Sequence, residues 1–150
     1  MEGSGRKKRS YRIPSVDLVE KTIMSILNEA FTIRSQTLFH RLVISRIKET
    51  EGKGFKLSPR RLRKVAAQME DVDLIIHCRE GDRASNRTIC PVCGTNMTDI
   101  KNSTLYGWTV ATGKACQTCS YWSGSRIRIP KRYVFTVEKE RYMVEKMEDQ

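Results

Sequence analysis

The stretch Cys90-Pro91-Val92-Cys93-Gly94, with Cys116-Gln117-Thr118-Cys119 placed so that 22 residues separate the two cysteine pairs, decides how the chain is read. Each C-x2-C pair sets two sulfurs on one tight turn, and two such turns complete a tetrahedron around a borderline-soft ion. Four cysteine ligands leave no open position for water or substrate. The expected cofactor is therefore one structural Zn2+ per chain, held by Cys90, Cys93, Cys116 and Cys119. Gly94 suits the sharp backbone bend after a ligand-bearing turn. Two disulfides are the competing use of the same four residues, and they are disfavoured wherever thiols are kept reduced. Cys78, 12 residues before Cys90 in an apolar run, reads as a buried, inert thiol and not as a fifth ligand.

Outward from the cysteines, Met97–Lys114 is rich in Thr, Tyr, Trp and Val, as a β-hairpin would be. Beyond the second pair, Ser125–Phe135 alternates Ile127 and Ile129 with Arg126 and Arg128, which predicts a strand with one apolar and one basic face. These features over 89–136 resemble a zinc ribbon. A rubredoxin-like iron site also needs two C-x2-C turns, but usually with glycine after each, and Ser120 follows Cys119. A redox dithiol needs one C-x2-C in a βαβ setting. A zinc deaminase needs H-x-E and P-C-x-x-C, whereas His77 and Glu80 are spaced H-x-x-E and Pro91 follows Cys90. No Ser/His/Asp set, paired carboxylates or phosphate-binding glycine loop is recognisable, and the chain reads as non-enzymatic. Tyr106, Trp108, Tyr121 and Trp122 are expected mainly in the scant core of so small a unit, with Tyr121 and Trp122 as the alternative base-stacking pair.

The N-terminal half predicts three helices. Ser15 caps the first, about 16–30, whose apolar arc is Val16, Val19, Ile23, Ile26, Leu27 and Ala30. Phe31-Thr32-Ile33 is a short strand. Ser35 caps a second helix to about Thr50, so broadly apolar that it is expected between other elements, and Glu51–Gly54 ends it. Ser58-Pro59 opens the third, with a buried stripe of Leu62, Val65, Ala66 and Met69. Opposite lie Arg60, Arg63, Lys64, Ala67 and Gln68, with Arg61 at the edge. Val72–Cys78 is a strand and Glu80-Gly81-Asp82 a turn. This order resembles a winged helix-turn-helix over 13–81. The resemblance makes the third helix the recognition helix, with Arg60, Arg61, Arg63, Lys64 and Gln68 as nucleic-acid contacts. Arg126, Arg128, Lys131 and Arg132 add a second basic surface.

With the helical unit at 13–81, a linker at 82–88 and the ribbon at 89–136, the chain resembles archaeal-type proteins that fuse a winged helix to a zinc ribbon, predicted transcriptional regulators. The fold class expected is α+β. A basic arm, 1–12, is expected to be disordered, and a helix at 137–150 could pair with a second copy or a protein partner through Val137, Tyr142, Met143 and Met147, or pack on its own ribbon. In 150 residues, 28 Lys and Arg against 17 Asp and Glu give a net charge of +11, and residues 82–135 alone carry eight basic and two acidic side chains. Such an excess makes a polyanion the expected partner, duplex DNA first and RNA second. No apolar run approaches the ~20 residues of a membrane span. With no signal-like segment visible, a reducing, cytoplasmic location is expected. An RNA- or ribosome-associated factor, an adaptor of a transcription complex and an accessory subunit of a nucleic-acid-modifying enzyme are the alternative functions.

Overall fold

The computed structural model describes residues 11–137. The arm at 1–10 and nearly all of the expected C-terminal helix lie outside them. Within them the fold is α+β: α1 (Val16–Ala30), β1 (Thr32–Ile33), α2 (Gln36–Glu51), α3 (Pro59–Gln68), β2 (Asp73–Ala84), β3 (Met97–Ser103), β4 (Thr109–Cys116), β5 (Trp122–Ser123) and β6 (Arg126–Thr136).

Local chemistry sets the helix ends. The Ser15, Ser35 and Ser58 hydroxyls accept from the N–H groups of Leu18, Leu38 and Arg61 at 3.1–3.2 Å. Such caps satisfy donors that a helix start leaves open. α1 buries Val19, Ile23, Ile26 and Leu27, while Val16 and Ala30, expected on the apolar arc, are exposed. α2 is less enclosed than its composition suggests. Only Phe39, Val43 and Ile47 are buried, an i, i+4, i+8 stripe, and Leu38 and Leu42 face outward. Gly52, with φ 95°, ends α2. The following loop is held by Arg12, which donates its N–H to Gly54 O and accepts from Lys56 N–H, with its guanidinium 4.2 Å from the Phe55 ring centre. Tyr11 and Arg12 therefore belong to the fold and not to the expected arm.

Two antiparallel sheets follow, ordered β1-β6-β2 and β3-β4-β5. The first joins both halves of the chain. β6, from beyond the second cysteine pair, lies between β1 and β2, with Phe135 opposite both Ile33 and Leu74. The expected turn at Glu80–Asp82 is absent. β2 runs through it to Ala84, and Gly81, Asp82 and Arg83 form a bulge opposite Ile127. Gly81 permits the close approach, since a Cβ there would lie 2.7 Å from Ile127 Cγ2. A second shift skips Lys131 between His77↔Arg132 and Cys78↔Pro130, so Pro130 sits where the ladder is already broken.

The expected division into 13–81, a linker at 82–88 and a ribbon at 89–136 is corrected accordingly. The linker's first residues are strand, and the ribbon's last strand completes the helical unit's sheet. One apolar cluster runs from Ile23, Leu27, Phe39 and Phe135 through Leu62, Val65 and Val92 to Met97 and Tyr121. The Phe39 and Phe135 rings meet at 4.4 Å between centroids. Among the described residues no helix is long and apolar enough to cross a membrane.

Candidate metal centre and the surfaces around it

The first cysteine pair lies on the turn leading into β3, and the second begins on the last residue of β4. β3 and β4 pair with Met97 opposite Cys116, which brings the two turns face to face. The four sulfurs all lie within 4.8 Å of one another, with Cys90–Cys119 at 3.5 Å and Cys93–Cys116 at 3.4 Å. A tetrahedron with sulfur–metal bonds of about 2.3 Å needs sulfurs about 3.8 Å apart. The set therefore fits a single four-coordinate ion. All five cysteines are free thiols, and Cys78 stands outside the cluster, half-buried on β2 opposite Pro130.

Backbone donors support the sulfurs. Val92 N–H points at Cys90 Sγ, and Thr118 and Cys119 N–H point at Cys116 Sγ, each at 3.4 Å. The Thr95 hydroxyl lies 3.1 Å from both Cys93 and Cys116 Sγ. Nothing in the sequence pattern marks Thr95. Gly94, with φ 81°, closes the first turn by donating to Cys90 O. The Cys90 thiol is drawn down to about 5, first by the hydrogen bond from Cys119, against burial and with help from the Cys93 and Val92 N–H groups. Cys119 is pushed up because it supplies that proton and is partly buried. Burial raises Cys93. Cys116 is lowered although burial opposes it, through the N–H groups of Cys119 and Thr118 and the Thr95 hydroxyl. The cluster thus eases ionisation of Cys90 and Cys116 and holds protons on Cys93 and Cys119.

One expected nucleic-acid residue belongs here instead. Arg63 is only 8% exposed, not on the open face of α3. Its Nε donates to Val92 O at 2.7 Å, its guanidinium also donates to Gln36 Oε1, and it lies 4.6 Å from the Tyr133 ring centre. Residue spacing puts Arg63 opposite the apolar stripe; the cysteine turn, packed on that flank, buries it. Burial lowers its pKa, opposed by Tyr133, Cys90 and Cys93.

Of the other expected contacts, Arg60, Lys64 and Gln68 are exposed along α3, and Arg126, Lys131 and Arg132 along β6. Arg61 is half-buried and donates to Pro14 O at 3.1 Å, with its Nε buried and unpaired. Arg128 is engaged by Trp122, donating to its carbonyl at 3.0 Å and lying 4.0 Å from its ring centre. The aromatics split. Tyr121 is core, its hydroxyl donating to Arg128 O at 2.5 Å, but Tyr106 and Trp108 at the β3–β4 tip are 83% and 70% exposed, and Trp122 is exposed beside Arg128. His40, at a ring nitrogen, meets Leu57 O and anchors the loop before α3. Comparison with protein-family models, curated protein sequences and solved structures finds no match to this chain.

Proposed function

We propose that the chain is a non-enzymatic, zinc-containing nucleic-acid-binding protein, a DNA-binding transcriptional regulator built as a winged helix whose wing carries the four-Cys unit. The observation that carries the reading is the open face of α3. Arg60, Lys64 and Gln68 project from it into solvent, and no acidic residue interrupts it between Leu57 and Met69. Three helices beside a sheet ordered β1-β6-β2 support the winged-helix part, with β2 and β6 as the wing hairpin. Zinc is the ion that four cysteine ligands at this spacing favour, and it would be held by Cys90, Cys93, Cys116 and Cys119 as a structural centre. Arg and Lys on α3 neutralise phosphates, and Arg60 reads guanine where it reaches a base edge.

The test is the double substitution Arg60→Ala/Lys64→Ala, assayed on duplex DNA, single-stranded DNA and structured RNA at several salt concentrations. Both side chains are exposed, so the fold should change by less than about 0.5 kcal/mol. Duplex affinity should fall, and the slope of log K against log salt should flatten by about 0.9 for each phosphate that is no longer neutralised. Unchanged duplex affinity with an unchanged slope rejects α3 as the binding face.

A second reading, an RNA- or single-strand-binding factor, is favoured by the exposed Tyr106, Trp108 and Trp122. Aromatic stacking on unpaired bases contributes about 1–3 kcal/mol per base. Under this reading Trp108→Ala weakens binding to single strands and leaves duplex binding unchanged.

A further inference from the structure

The first cysteine turn and α3 are joined by side chains that neither needs for its own local structure. Arg63 bonds the carbonyl of Val92, one of the two residues between the cysteines of that turn. Three residues earlier, the methylenes of Arg60 lie on Gly94, so closely that a Cβ at 94 would stand 3.2 Å from Arg60 Cδ. The Arg63 guanidinium also reaches back to Gln36 at the start of α2 and covers Tyr133 of β6.

The charges give this contact a direction. Four thiolates around a divalent ion carry a formal charge of about −2, on a centre whose sulfurs are largely buried. A buried guanidinium is tolerable where opposite charge and full hydrogen bonding offset its desolvation. Metal-ligand shells are commonly oriented and charge-balanced by such outer partners.

We infer that Arg63 is the positioning residue that couples occupancy of the four-Cys site to the placement of α3, so that nucleic-acid binding by this helix depends on the metal. The binding half of this inference rests on the function proposed above; the coupling half does not. With the ion bound, the turn is rigid, Val92 O is fixed, and Arg63 holds α3 with Arg60 and Lys64 outward. Without it, the turn loosens, Arg63 is deprived of its acceptor and its countercharge, and α3 is the helix that moves. α1 packs on α2 as well as on α3, and it keeps the first of these contacts when α3 shifts.

The experiment uses the full chain, loaded with Zn2+ or stripped by a chelator. Amide hydrogen exchange is followed at α1, α3 and the first cysteine turn, and affinity for duplex DNA is measured in both states. Metal removal should cut protection in Leu62–Gln68 together with Cys90–Thr95, by much more than in α1, and weaken duplex binding at least tenfold, all restored by Zn2+. Arg63→Gln should lower Zn2+ affinity about 10–100-fold, as loss of an outer partner does, while Arg63→Lys, which keeps the charge, should recover part of it. Co2+ thiolate absorption reads these affinities independently of nucleic acid. Unchanged α3 protection in the stripped chain overturns the coupling. So does loss of α1 protection in step with α3, which would signal general collapse. Arg63→Gln binding Zn2+ as tightly as wild type overturns the role of Arg63. If α3 responds as expected but neither state binds any polynucleotide, the coupling stands and the nucleic-acid reading falls.

Discussion

Gly113 has no room for a side chain, since a Cβ there would run into the Ser123 carbonyl oxygen and stand 3.0 Å from Gly124 Cα. Both atoms are backbone, so β5 must move off β4 to admit even a methyl group. Gly113→Ala should cost about 1–3 kcal/mol, as overpacking does, read as a lower denaturant midpoint. The sulfurs make a pH prediction. Cys90 is depressed from 9.0 to about 5, chiefly by the Cys119 hydrogen bond. A depressed folded pKa contributes stability that is complete above the unfolded value and is lost as pH falls through the folded one. Where the metal-free chain keeps the Cys119 bond, it should therefore lose stability as pH falls from 9.0 to about 5; a denaturant midpoint that stays flat or rises over that window would show that this bond is lost with the metal. Metal uptake must also expel the Cys119 proton, so metal affinity should rise with pH, as competition with a chelator at stepped pH would show. At this scale the four ligands are legible because C-x2-C states its own geometry. Arg63 is not, because its surroundings come from a turn 29 residues away.

Elements fixed by neighbours in sequence are legible almost to the residue. α1, α2 and α3 start where serine caps them, and Gly52 and the Met69–Glu70 region end the latter two. β2 is longer than its sequence suggests. Glu80-Gly81-Asp82 carries turn chemistry, but the backbone partner that turns it into a bulge is Ile127 and its neighbours, which no local pattern announces. The β3–β4 hairpin is a hairpin as expected, but it is not a home for core aromatics. Its outer half buries almost nothing, with Leu105, Tyr106, Trp108 and Val110 all exposed. Tyr106→Ala and Trp108→Ala should accordingly shift stability by less than about 0.5 kcal/mol each, whereas Tyr121→Ala, which opens a void in the buried cluster, should cost about 3–5 kcal/mol. Thermal unfolding of the metal-loaded variants separates the two cases.

Across the whole molecule, the helices and the cysteine unit share a sheet. Polar residues at 82–88 resemble a linker, but β2–β6 pairing runs from Asp73↔Thr136 to Ala84↔Arg126 across the expected boundary. Sequence composition reports local polarity and cannot report which distant strand will fill a slot. A fragment of residues 11–84 keeps all three helices but leaves the β1 and β2 edges unpaired and removes Phe135 from its place against Phe39. It should give poorly dispersed amide spectra, where a self-contained helical domain would give sharp ones. The position of β6 also orders events during synthesis. The central strand of this sheet is the last of these elements made, so until Thr136 emerges the nascent chain carries two open strand edges about a missing middle. Pairing over so long a loop is slow and leaves apolar surface exposed meanwhile. Closing the cysteine turns first would shorten that loop, so the soluble yield of newly made chain should rise with metal supply during translation.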